Sequence, residues 1–117
     1  MTNSIKRLQT SARMSQVVIA NGVVYLSGQV PDTAGTSIDV QTKEILARID
    51  TLLASAGVDK TRLLTANVWL SDPKHFDAFN AVWDAWVAQD HAPARACVTA
   101  LLMKAGLDVE VAVTALA

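Results

Sequence analysis

A chain of 117 residues, 51% hydrophobic and 18% charged with a net charge of -1, has the length of one domain, residues 1–117, and can bury roughly two-thirds of its unfolded surface. No Lys/Arg block is present, which argues against nucleic-acid binding by clustered phosphate neutralisation. The single cysteine, Cys97, excludes an intrachain disulfide and fits a reducing compartment.

In chain order, Ile5 to Leu8 reads as a short edge strand and Gln9 to Ala12 as loop. Gln16 to Ala20 is rich in β-branched residues, and Asn21-Gly22 is a strong hairpin turn signal leading into a second arm, Val23 to Ser27. Gly28 at the end of that arm suggests a bulge or a close approach by backbone or ligand. After a loop from Pro31 to Thr36, Ile45, Leu46, Ile49, Leu52, Leu53 and Ala56 recur at helical spacing, predicting a helix over Val40 to Ala56. Asp39 is the expected N-cap and Gly57 the C′ residue. Gln41 and Thr42 read as helix-start residues, and Glu44 and Arg48 as an exposed i,i+4 pair.

Arg62 to Ser71 alternates as a strand, with Leu64, Ala66, Val68 and Leu70 on one face. Asp72-Pro73 opens a second helix, whose apolar face is Phe76, Phe79, Val82, Trp83, Trp86 and Val87. Asn80 borders that face. Beyond the exit loop His91-Ala92-Pro93, Ala94 to Leu102 and Val109 to Ala115 are the last two strands, joined near Ala105-Gly106. Arg95, Cys97 and Thr99 share one face of the first, and Glu110, Ala112 and Thr114 one face of the second. This order predicts an α+β fold, a mixed sheet with both helices on one face. The other face would carry apolar side chains, and copies of the same sheet are the natural cover.

Arg95 opens an otherwise apolar run. An arginine so placed needs a partner, and its planar fork suits a carboxylate. Two readings stand on the residues alone: an anchor for an acidic ligand, or a structural ion pair. On the residues alone Glu110 reads as an outward strand residue, Asn80 as a cap or interface amide, Gly28 as a bulge, and the Cys97 side chain as packing. His75 and His91 lack ligand spacing with any Cys or carboxylate cluster, so no metal and no cofactor is expected. No stretch has membrane-span length. The first fifteen residues hold Lys6, Arg7 and Arg13 but no apolar segment, so no secretory signal is expected and a soluble cytoplasmic protein is.

Arg13-Met14-Ser15-Gln16, Asn21 to Val30, Gln41-Thr42, Ala56-Gly57, Phe79 to Trp83, Pro93 to Val98 and Val109-Glu110-Val111 form an ordered set. That set resembles the Rid (reactive intermediate deaminase, YjgF) family, in its Arg-containing branch. The resemblance implies a chorismate-mutase-like fold and a homotrimer whose three sheets form an inner β-barrel, with ligand clefts between subunits. It also implies hydrolysis of enamine and imine intermediates, of the 2-aminoacrylate and 2-iminopropionate class, to 2-keto acids and ammonia. By the same resemblance Arg95 binds the carboxylate, Glu110 positions water, and Cys97, Gly28 and Asn80 line the pocket. Met14 stands where the best-known members have a Tyr. The competing reading is a non-catalytic trimer that binds 2-keto or amino acids or docks on another enzyme. A third, RNA cleavage, lacks basic charge and an evident catalytic His pair.

Overall fold

A computed structural model describes residues 4–117. Six strands form one sheet: β1 (Lys6–Thr10), β2 (Ser15–Ala20), β3 (Val23–Leu26), β4 (Leu63–Leu70), β5 (Ala94–Thr99) and β6 (Val109–Leu116). Their order across the sheet is β1-β2-β3-β6-β4-β5. Only β4 and β5 are parallel, as the helix between them requires. The helices are α1 (Ile38–Ser55) and α2 (Phe76–Trp86). The expected α+β arrangement is therefore present, and β1 and β5 are its edges. Among the described residues no helix is long and apolar enough to cross a membrane.

Asn21 and Gly22 both have positive φ, 51° and 78°, the conformation that a two-residue type I′ hairpin needs. Gly57, at φ 79°, follows the helix as expected. Other local expectations need correction. Gln9 and Thr10 belong to β1 rather than to a loop. The cap of α1 is Ser37, whose hydroxyl accepts from Val40 N at 3.2 Å, while Asp39 sits in the first turn and pairs with Lys43. Leu64 is exposed because the β4–β6 register shifts between Leu63 and Thr65, turning it off the face that Ala66, Val68 and Leu70 share. A 3-10 turn, Pro73–His75, precedes α2 and carries the Asp72 cap, and Phe76 is 44% exposed instead of facing the core. β5 ends at Thr99, and the following loop leaves Leu101 and Met103 about nine-tenths exposed.

The core lies between sheet and helices: Ile45, Ile49 and Leu53 of α1 pack with Phe79 and Trp83 of α2 and with Val68, Val109, Val111 and Val113 of the sheet. The opposite sheet face is bare, and on it Tyr25, Val98 and Leu116 are each roughly half exposed.

Gln41 is fully buried, not a simple helix-start residue. Its Nε2 donates to Thr36 O, Gly106 O and Asp108 Oδ2, and its Oε1 accepts from Asp108 N. The start of α1 is thereby tied to the loop that leads into β6. Gln41→Ala strands several buried polar groups at about 1–3 kcal/mol each. It is expected to lower unfolding free energy by roughly 3 kcal/mol in denaturant titration, while Val40→Ala at the exposed neighbour stays within about 1 kcal/mol.

Candidate functional site

The predicted site residues fall into two groups on opposite faces of the sheet. Arg95 pairs in register with Ala66, which is buried against the helices. Paired residues of neighbouring strands point to the same side, so Arg95, Cys97 and Thr99 face α2. The Arg95 guanidinium lies over the rings of Trp83 at 5.3 Å and Phe79 at 5.7 Å. Neither of the two ion pairs formed among the described residues involves it. Among the described residues the alternative of a structural ion pair is thus not realised: the cation is stacked on aromatic rings. As the edge strand, β5 also leaves one side of its backbone unpaired along the same stretch.

Asn80, on α2, contributes an Oδ1 that is buried and has no hydrogen-bond partner. Such an acceptor is costly to leave unsatisfied. Cys97 is half-buried and packs against the core. Burial pushes its thiol above the usual range, partly offset by the Arg95 charge. The thiol therefore stays protonated at neutral pH and is a poor nucleophile. Alkylation of the native protein by iodoacetamide at pH 8 is expected to be several-fold slower than that of the denatured chain. Its rate should keep climbing with pH beyond the ordinary thiol range. An equal rate in the two forms would refute this reading.

Gly28 and Glu110 form the second group. Glu110 pairs with Trp69, between the buried Val109 and Val111, so it points to the bare face. Its carboxylate occupies the space that a Cβ on Gly28 would take. Glycine is required here for close approach, not for an unusual backbone angle: Gly28 is absent from the positive-φ glycines. The close approach is made by a side chain, not by the backbone or ligand that the sequence suggested. Glu110 borders two open clefts of about 350 and 250 Å3, one with Val30 and Lys104 and the other with Trp69 and Leu101, both touched by Met103. Met14 is exposed on the turn between β1 and β2. That turn is at the same end of β2 as Gly28, since Ser27 N donates to Gln16 O at 3.0 Å.

A hydrogen-bonded support behind Gly28 was not foreseen. Gln29 is buried, and its Nε2 donates to Gln16 Oε1 at 2.8 Å and to Ser27 O and Oγ at 3.0 Å. Its backbone exchanges hydrogen bonds with Val111, the neighbour of Glu110. Arg48 reaches from α1 to Val30 O at 2.6 Å and Asp32 at 2.7 Å, so the expected Glu44–Arg48 pair does not form; Glu44 instead accepts from Thr33. Two glutamines in a strand-rich apolar stretch were the available signal, since a buried amide must find partners.

The two groups cannot grip one small molecule within a protomer. β6 and β5 are separated by β4, about 10 Å, and the side chains leave opposite faces. Met14 lies farther still, towards the other sheet edge. Only a second copy could bring Gly28, Glu110 and Met14 beside Arg95, Cys97 and Asn80. Among the described residues no group of three or more His, Cys, Asp or Glu could hold a metal ion.

The arrangement has known counterparts. A family model described as Endoribonuclease L-PSP matches residues 4–117. A RutC family protein from Haemophilus influenzae is 42% identical over 113 residues, covering 96% of this chain and 97% of the relative. The RutC family protein YoaB of Escherichia coli is 40% identical over 112 residues, covering 96% and 97%. The crystal structure of a member of the YjgF protein family from Neisseria meningitidis superposes with a TM-score of 0.94 at 43% identity, covering 97% of this chain and 95% of that one.

Proposed function

We propose, from the premise that this chain belongs to the YjgF (Rid, RutC) family, that it is a homotrimeric hydrolase of reactive imines and enamines of 2-keto acids. The observation that carries the proposal is the guanidinium of Arg95, stacked on Phe79 and Trp83 and in no ion pair among the described residues. Its fork matches a carboxylate with two parallel hydrogen bonds. The bare sheet face, with Tyr25, Val98 and Leu116 exposed, is the surface on which three copies would close. That closure would set the Glu110 group of one copy against the Arg95 group of the next.

The chemistry asks little beyond positioning. An enamine first tautomerises to the imine. Water then adds to the C=N carbon, Glu110 takes a proton from that water, and a carbinolamine forms. The proton passes to nitrogen, the C–N bond breaks, and ammonia leaves as the keto carbonyl forms. One water is consumed, and no oxidant or metal is needed. Holding the carboxylate and the attacking water in line supplies the rate enhancement. The orphaned Oδ1 of Asn80 suits an N–H of the imine.

The test generates 2-iminopropionate or 2-iminobutyrate in place with an amino-acid oxidase, adds semicarbazide as a competing trap, and follows keto acid and semicarbazone. Faster keto-acid release with the protein present is the expected result. Hydrolysis at the uncatalysed rate, with 2-keto acid still bound in calorimetry, would leave only the binding module. Met14 bears on this outcome, because a thioether cannot supply the hydrogen bond of a tyrosine hydroxyl.

A further inference from the structure

Beside the Arg95 group lies a cleft of about 240 Å3, lined by Leu70, Pro73, Phe76, Cys97, Val98 and Thr99. It is smaller than the ~300–1,000 Å3 pockets that take drug-sized ligands, and its size suits one side chain. Cys97 and Thr99 share the helix-facing side of β5 with Arg95, in register with Val68 and Leu70. Same-face residues on a strand repeat at about 6.6 Å. A small acid held at Arg95 therefore has Cys97 one step along the strand, with the cleft opening there. The rings of Phe79 and Trp83 lie under the guanidinium. Phe76 is 44% exposed on the first turn of α2, although that helix buries Phe79 and Trp83. Asn80, with its unpartnered Oδ1, is one turn beyond it. The wall of the cleft is thus mainly aromatic and aliphatic, with Thr99 at its end.

We infer that this cleft receives the substrate's side chain, so that the site prefers 2-imino acids carrying branched aliphatic or aromatic groups over the alanine-derived imine. The inference rests on the reading of Arg95 as the carboxylate anchor. An apolar pocket discriminates by about 10–200-fold for a fitting aliphatic group. The preference lives in Phe76 at the wall and Thr99 at the end.

The test measures kcat/KM for imines made from leucine and from alanine, and in parallel the binding of the two corresponding 2-keto acids by calorimetry. The expected result is a leucine-to-alanine ratio of at least about tenfold. Phe76→Ala should cut that ratio about tenfold, as should Thr99→Leu, which shortens the cleft from an exposed strand end. Far-UV circular dichroism and gel filtration check that each variant keeps its fold and assembly. Equal turnover of both imines, or a ratio untouched by both variants, overturns the cleft assignment and leaves the deaminase reading standing. No turnover of either imine, with a Phe76-dependent preference among the bound keto acids, supports the cleft and overturns the deaminase reading. No turnover and no such preference overturns both.

Discussion

Arg95→Ala is expected to lower kcat/KM for imine hydrolysis by about 10²–10⁴-fold, because it removes two charge-assisted hydrogen bonds worth roughly 1.5–3 kcal/mol each. The protein should survive the change. Arg95 is exposed, and the contacts its guanidinium makes with Phe79 and Trp83 are each worth about 0.5–1 kcal/mol at an exposed site. Arg95→Lys should recover only part of the loss, since an ammonium is a point charge and cannot offer the planar fork. Steady-state kinetics on the three forms, with a thermal melt for each, decide the matter. Wild-type kinetics in Arg95→Ala would remove the carboxylate anchor and with it the proposed function.

The second large effect tests the division of the site between copies. Glu110→Gln keeps the shape of the side chain but cannot accept a proton, and a positioned general base contributes about 10²–10⁴-fold. Alone, Arg95→Ala and Glu110→Gln should each be nearly inactive. Arg95 and Glu110 leave opposite faces of the sheet, so each working site would take its arginine from one copy and its carboxylate from another. When the two variants are unfolded together in equal amounts and refolded, random assembly gives intact pairs at about one site in four. About a quarter of wild-type activity should return. If mixing restores nothing, although mixed assemblies form, the site is not shared in this way.

Both expectations depend on one geometric fact, that the sheet has two unequal faces. The helix-facing side is filled by Val109, Val111 and Val113 against Ile45, Ile49 and Leu53. The other carries Tyr25, Thr114 and Leu116, with Tyr25 and Leu116 each roughly half exposed. Apolar area of this kind contributes about 25 cal/mol per Å2 when it is buried, so the face favours assembly in the same step that would complete the site.

The sequence by itself determined the order of elements, the Asn21-Gly22 hairpin, the Gly57 stop and the faces of β5 and β6. These follow from local rules: turn chemistry, positive φ, and the two periodicities of strand and helix. It also marked Arg95 as out of keeping with its apolar run, whereas Glu110 and Gly28 gained a role only through the family resemblance. What only the tertiary structure decided were the long-range pairings. Strand order placed β6 between β3 and β4, which put Glu110 against Gly28 and on the face opposite Arg95. It also gave Gln41 and Gln29 their partners, 65 to 67 residues away in one case, and turned Arg48 from Glu44 to Asp32. Period alone says that two residues share a face of one strand. It cannot say which strand lies alongside or in what register, because that depends on how the whole chain buries its apolar surface.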